Sequence, residues 1–231
     1  MFKSKGKKIK KFLLISFLFI SGIQAVTTLG YSAKLLTQQD ALEVVPFIAE
    51  QITTEFAKYP YLYKNDDTAE IVEYYQSIMS KKHACVAVAY YGIEPVGFIV
   101  AVPCYQINEG LYANTDLLFA AFGFDFEKSY YITDIIIMPE HRRNGLANKL
   151  HVLIEEYVRS LNYDFLFLAE ESHDFHSLKP KGYKEIAKEF FTKKGYTQTD
   201  MVIKFDWNTF QLDGSVKDQE HALSYWIKNF N

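Results

Sequence analysis

One stretch constrains this 231-residue chain more than any other. Ile135-Ile136-Ile137-Met138 reads as a β-strand stopped by Pro139. A short basic turn follows, Glu140-His141-Arg142-Arg143-Asn144, and Gly145-Leu146-Ala147 opens a helix. That helix runs to Leu161, with Leu146, Leu150, Leu153, Ile154, Tyr157 and Leu161 on one apolar stripe. The first amides of a helix have no partner within it and stand at the positive end of its dipole. Small residues at 145 and 147 let an anion reach the backbone, and Arg142 and Arg143 add positive charge. The local sequence therefore describes a cradle for a diphosphate. It has neither the Gly-Lys-Ser/Thr of a Walker loop nor the Gly-x-Gly-x-x-Gly of a dinucleotide fold.

The elements around the cradle alternate in type. Tyr31–Leu36 reads as a strand, and Thr37-Gln38-Gln39-Asp40 opens a helix that stops before Pro60. Asp66-Asp67-Thr68 starts a second helix carrying Ile71, Val72, Tyr75 and Ile78. Ala84–Tyr91 and Val96–Cys104 form a hairpin around Gly92-Ile93-Glu94-Pro95. Residues 105–128 are irregular, with a short helix expected over Leu117–Phe122. Tyr130–Met138 is the strand of the cradle, and Phe165–Ala169 is apolar throughout, as inside a sheet. Tyr183, Ile186, Ala187, Phe190 and Phe191 recur at helical spacing up to a C-cap at Gly195. Met201–Phe205 reads as a last strand and Asp218–Asn229 as a tail helix. Helices flanking a mixed sheet make an α/β fold in the broad, layered sense.

Composition narrows the function. Two cysteines, Cys85 and Cys104, rule out a disulfide scaffold and a cysteine-based zinc module. Residues 1–25 carry six lysines and no acid, leaving 19 basic against 28 acidic side chains in the remainder. That acidic body argues against nucleic acid and suits a cationic substrate. The lysines lead into Phe12–Ile20 and then Ser21-Gly22-Ile23-Gln24-Ala25. This is the n-region, h-region and cleavage zone of an export signal, with an uncleaved anchor as the other membrane-directed reading and a non-functional extension of a cytosolic protein as the third.

The cradle resembles the acyl-CoA signature of the GNAT N-acetyltransferases, Arg/Gln-x-x-Gly-x-Gly/Ala. Here it reads Arg142-x-x-Gly145-x-Ala147, preceded by Ile137-Met138-Pro139. Glu94-Pro95-Val96-Gly97-Phe98 resembles the family's preceding hairpin, and Ala187–Phe191 followed by Lys194-Gly195-Tyr196 resembles its later helix. Element order agrees from about Tyr31 to Trp207. The resemblance implies that acetyl-CoA binds as co-substrate, with no metal. Its pantetheine is expected beside the main chain of Ile136 and Met138. Its diphosphate is expected on the amides of Arg143, Asn144, Gly145, Leu146, Ala147 and Asn148, with a main-chain N–H near Ile136 or Ile137 facing the thioester oxygen. An extended pantetheine with two amides mimics an added strand.

Acetyl transfer to an amine needs a base for the amine proton and a donor for the thioester oxygen. Asp134, on the cradle's strand, is the expected base, with Glu170 and Glu171 at the end of the next strand as rivals. Where many GNAT enzymes carry a Tyr that meets the leaving thiolate, this chain has Phe191, and Lys184 replaces the usual Asn. Tyr183 and Tyr196 are substitutes or packing residues. Glu170, Glu171, His173, Asp174 and His176 read as a solvated loop, with a substrate pocket or a metal site as lesser readings. Phe119, Phe122 and Phe124 are expected either to cover the acceptor pocket or to pack on the flank.

The expected organisation is a membrane-directing segment at 1–25, an acetyltransferase domain at 29–208 and a tail at 209–231 with a helix. The expected activity is N-acetylation of a primary amine, small molecule or protein, by direct attack in a ternary complex. The alternative is a binding module on the same fold that has lost catalysis.

Overall fold

The computed structural model describes residues 30–64, 68–107, 120–171, 179–181 and 186–231. Strands β1 (Tyr31–Thr37), β2 (Cys85–Tyr91), β3 (Glu94–Pro103), β4 (Ser129–Ile137), β5 (Phe165–Glu171), β6 (Thr197–Phe210) and β7 (Val216–Asn229) form one sheet. Their spatial order is β1-β2-β3-β4-β5-β7-β6. Only β4 and β5 pair in parallel; the other neighbours are antiparallel. Helices α1 (Gln39–Leu42), α2 (Val45–Phe56) and α3 (Thr68–Ser80) cover one face, and α4 (Leu146–Ser160) and α5 (Ile186–Lys193) the other. This is the layered α/β architecture expected from the sequence.

Strand alternation builds two cores. Val86, Val88, Phe98, Val100, Phe165 and Phe167 meet Ile48, Ile52, Ile71 and Ile78 of α2 and α3. Ala87, Ile99, Tyr130, Leu166 and Leu168 meet Leu146, Leu150 and Ile154 of α4. Cys85 and Cys104 are both free thiols and sit in opposite cores, so the two do not pair.

Three expectations are corrected. The first helix is broken near Glu43-Val44, because Pro46 has no N–H to give and fits only a first helical turn, so α2 restarts at Val45. Phe124 does not cover a pocket: it is buried, with its ring 5.2 Å from Phe167 and 5.5 Å from Phe165. Phe122 packs against the same core, and Phe119 lies outside the described residues.

The third correction is the largest. The expected tail helix over Asp218–Asn229 is strand β7, inserted between β5 and β6. Asp213-Gly214, with Gly214 at φ 79°, turns a hairpin in which Gln211 N–H donates to Ser215 O at 2.9 Å. Along β7, Tyr225 and Ile227 join the α2/α3 core while Trp226 joins the α4 core. Two partner strands override the helix-forming Glu, Ala and Leu of this segment. The expected last strand, Met201–Phe205, lengthens to Thr197–Phe210 for the same reason.

Candidate active site

β4 and β5 pair only where Ser129, Tyr130 and Tyr131 meet Phe165, Leu166 and Phe167. Beyond that point β5 stays with β7 while β4 stays with β3, so the sheet opens between Ile132–Ile137 and Leu168–Glu171. At the top of β4, Met138 N–H donates to Val96 O at 3.0 Å. Main-chain groups alternate sides along an extended strand. Ile136 and Met138 therefore face β3, and Ile137 and Ile135 face the opening. That differs from the expected pairing through Ile136 and Met138. β3 lies close enough here that a Cβ on Gly97 would stand 2.5 Å from Ile137 Cδ1 and 2.8 Å from Ile136 O.

The turn after Pro139 is held from several sides. Arg142 donates from Nε to Ile137 O at 2.8 Å and from Nη2 to Glu55 Oε2 at 2.7 Å, tying the turn to the end of α2. Asn144 Nδ2 donates to Tyr31 OH and His141 O, each at 3.1 Å. His141 Nδ1 lies 3.1 Å from the same Tyr31 hydroxyl, which makes it a turn residue. Arg143 at φ 63° and Gly145 at φ 72° both adopt left-handed backbone, and open space lies where a Gly145 Cβ would stand. Lys149 N–H is the first in α4 to bond back, to Gly145 O at 3.1 Å. The amides of Leu146, Ala147 and Asn148 precede it at the helix start, where an anion is favoured. Asn148 Oδ1 also accepts from Lys194 Nζ at the end of α5.

Opposite α4, a cavity of about 420 Å³ lies between α2, α3 and β4. β4 carries one extra residue there. Asp134 pairs with Val100 and Ile132 with Ala101, so Thr133 bulges. Such bulges re-aim side chains, and Thr133 and Asp134 both line the cavity. Tyr75 of α3 donates its hydroxyl to Asp134 Oδ2. Burial, and then the Asp134 carboxylate, push the Tyr75 phenol well above its usual range, so it stays a donor. Glu70 and Tyr74 of α3, Phe56 of α2, Tyr131 of β4 and Tyr63 complete much of the wall.

Tyr63 belongs to the α2–α3 connection, which the C-terminal hairpin clamps. Phe210 N–H donates to Leu62 O at 2.9 Å, Lys64 N–H to Asn208 O at 2.8 Å, and Trp207 Nε1 to Tyr61 O at 3.0 Å. The Trp207 ring stacks on His221 at 3.5 Å and 13°. His221 in turn lies 3.0 Å from Glu171 Oε1 and 2.7 Å from Thr209 Oγ1. Glu171 is thus a buried anchor of the hairpin, not a free base.

The fold that carries these features is shared with known proteins. The acetyltransferase (GNAT) family model matches residues 49–179, more than half of the chain. The chain belongs to the GNAT acetyltransferase family. An N-acetyltransferase from Staphylococcus aureus Mu50 has the same fold at 11% identity and TM-score 0.54, over 87% of this chain and 99% of that one. For yncA from Salmonella typhimurium, solved with its cofactor acetyl-CoA, the values are 13%, 0.53, 87% and 95%. For the PaiA N-acetyltransferase from Thermoplasma acidophilum, in complex with coenzyme A, they are 12%, 0.52, 86% and 99%. No curated protein sequence matches the chain significantly.

Within this GNAT domain the two expected catalytic carboxylates are separated. Asp134 lines the cavity. Glu170 is buried and, by strand alternation with Leu166 and Leu168, belongs to the α4 side of β5. Phe191 is buried against Tyr196 and Trp226, at ring distances of 5.6 and 5.8 Å. The buried Tyr196 hydroxyl lies 2.9 Å from His151 Nε2, which makes it a packing residue. Tyr183, Lys184, His173, Asp174 and His176 lie outside the described residues. Among the described residues no cluster of metal-ligating side chains occurs.

Of the cavity's other polar residues, only Tyr75 is marked in the sequence reading, and only as a position of its helix. A signal exists for two more: Glu70 and Tyr74, at i and i+4, share one face of α3. Nothing local marks Tyr63 or Thr133.

Proposed function

We propose that this GNAT protein transfers the acetyl group of acetyl-CoA to a primary amine by direct attack in a ternary complex, with the amine in the Asp134 cavity. The observation that carries this reading is the β4 bulge. It turns Asp134 into a cavity that adjoins the sheet opening, on the strand that leads to the helix cradle. The start of α4 suits the diphosphate of acetyl-CoA, since a chain reversal at Gly145 leaves room for an anion beside unbonded amides. The edge of β4 offers Ile135 and Ile137 main-chain groups to pantetheine amides and to the thioester oxygen.

Each residue then has a task. Asp134, held in orientation by the Tyr75 hydroxyl, takes the proton that the bound ammonium must lose before its nitrogen can attack. The amine nitrogen attacks the thioester carbon, the C–N bond forms, the C–S bond breaks and the nitrogen gives up its second proton to solvent. The thiolate carries away the electron pair and is protonated from solvent. A thiol of pKa ~8.5 needs little help to leave, which suits a chain with Phe191 in place of a donor.

The test is calorimetric titration of residues 26–231 with acetyl-CoA, followed by thiol release with amines. Gly145→Glu is expected to abolish acetyl-CoA binding through charge and backbone strain while the far-ultraviolet spectrum persists. Equal binding by the variant overturns the cradle assignment. Binding without turnover on any amine supports the non-catalytic alternative instead.

The lysine-led segment 1–25 supports export or membrane anchoring. β1 begins at Tyr31, so removal of the segment after Ala25 spares the sheet. Among the described residues no helix is long and apolar enough to cross a membrane. Cell fractionation with N-terminal sequencing is expected to yield either a mature chain beginning at Val26 or a membrane-bound full-length chain. Full-length protein in the cytosolic fraction overturns this assignment and places the domain where acetyl-CoA is made.

A further inference from the structure

We propose that the amine acceptor is a short alkyl diamine, one nitrogen received at Asp134 and the other at Glu70, with tyrosine rings around the methylenes between them. The proposal rests on the acetyl-transfer reading above and adds the substrate class. The cavity contains two carboxylates and no lysine, arginine or histidine among its lining residues. Tyr63, Tyr74, Tyr75, Tyr131 and Phe56 supply the aromatic part of its wall. Burial raises the phenols of both Tyr63 and Tyr75, with Glu70 and Asp134 respectively adding to the effect, so the rings stay neutral. The charge of the site therefore comes from the two carboxylates alone.

Such a wall selects by charge. It repels carboxylates and phosphates, and neutral tyrosine faces attract organic cations. One ammonium group answers only one of the two carboxylates. The second lies along the same helix. Glu70 lines the cavity from α3, as does Tyr75, whose hydroxyl is bonded to Asp134, so the two carboxylates face one space. A cavity of about 420 Å³ has room for a short chain of methylenes between two nitrogens. Glu70 is exposed at the rim and Asp134 half-buried, so the diamine enters with its reacting nitrogen inward and its second ammonium near solvent. The acidic body of the chain favours the approach of such a dication.

The reaction balances for this acceptor. A diammonium ion and acetyl-CoA give the mono-acetylated amine, still carrying one ammonium, together with the free thiol and one proton. Loss of positive charge at the inner nitrogen removes its attraction to Asp134, which favours product release.

Three probes of similar length separate the charge at the outer end: 1,4-diaminobutane, 1-aminobutane and 4-aminobutanoate. Calorimetry without acetyl-CoA reads the cavity, and thiol release reads transfer. The diamine is expected to bind about tenfold more tightly than the monoamine, and the amino acid more weakly than either. Glu70→Gln should remove the diamine's advantage, whereas Glu73→Gln, on the exposed side of α3, should preserve it. Equal binding of diamine and monoamine, or an advantage that survives Glu70→Gln, overturns the proposal. Preferential binding without acetylation overturns the transfer reading and keeps the ligand class. Acetylation of all three probes at similar kcat/KM keeps transfer and discards the diamine.

Discussion

Asp134 owes its position to one extra residue. Without the bulge at Thr133, strand alternation would send either Asp134 or its neighbour to the α4 core. The carboxylate then meets the Tyr75 hydroxyl of α3, whose phenol burial pushes well above its usual range. Asp134→Asn preserves shape and removes the proton acceptor. It is expected to lower kcat by ~10²–10⁴ with little change in acetyl-CoA affinity, because the turn at 142–145 and the start of α4 are held by other residues. Steady-state turnover and calorimetry on the same preparation check both parts. Unchanged kcat would transfer the base role to water or to a residue other than Asp134. The same scale shows why residue type misleads. Glu171 reads as a site carboxylate in sequence, yet its carboxylate lies 3.0 Å from the His221 ring in a buried hairpin anchor.

At the scale of elements, α4 is secured to the C-terminal half by a polar staple. His151 of α4 is fully buried, 2.9 Å from Tyr196 OH through Nε2 and 3.1 Å from Glu155 Oε2 through Nδ1. Lys228 of β7 reaches the other Glu155 oxygen. Burial lowers the pKa of His151, so its ring is neutral, with Nδ1–H toward Glu155 and Nε2 accepting from the tyrosine. Burial alone would raise Glu155, but the His151 ring and the Lys228 ammonium beside it outweigh that and hold the carboxyl at about 2. Both shifts have the same consequence. Below the ordinary values, ~6.5 for His and ~4.3 for Glu, the unfolded chain binds protons that the folded chain refuses. Stability should therefore fall as pH drops below about 6.5 and fall further between about 4.3 and the folded Glu155 value. Thermal melts at pH 7, 5 and 3 should show a declining Tm. Glu155→Gln should begin lower at pH 7 and decline less. A variant curve parallel to wild type would remove Glu155 from the acid response.

At the scale of the molecule, the sheet depends on its last strand. β7 bridges β5 and β6, and the hairpin's far end clamps the loop that carries Tyr63 into the cavity. A chain stopped after Phe210 keeps the 29–208 span first expected to be the domain but loses β5's second partner. It also leaves β6 with no strand to join. Such a truncation is expected to lose cooperative thermal unfolding and to bind the dye probes of exposed apolar surface. A truncated chain with the melting transition of the full protein would show that the hairpin is an accessory.

The cradle was legible in the linear sequence because all its chemistry is local. A strand stop, a left-handed glycine and the first amides of a helix must follow one another at fixed offsets, so Pro139, Arg142, Gly145 and Ala147 reveal it without any other part of the chain. The helix–sheet layering was legible for a similar reason, since apolar periodicity reports which face each element buries. Asp134 was legible as a candidate because it lies on the same strand. The cavity was not. Its wall joins Phe56, Tyr63, Glu70, Tyr75 and Tyr131, brought together by packing of α2 and α3 on β4, and a tyrosine bound for a pocket looks like one bound for a core. Nor was β7, whose local preference runs toward helix. Pairing on both sides satisfies its backbone and buries Tyr225, Trp226 and Ile227, and that long-range gain exceeds any difference in local propensity.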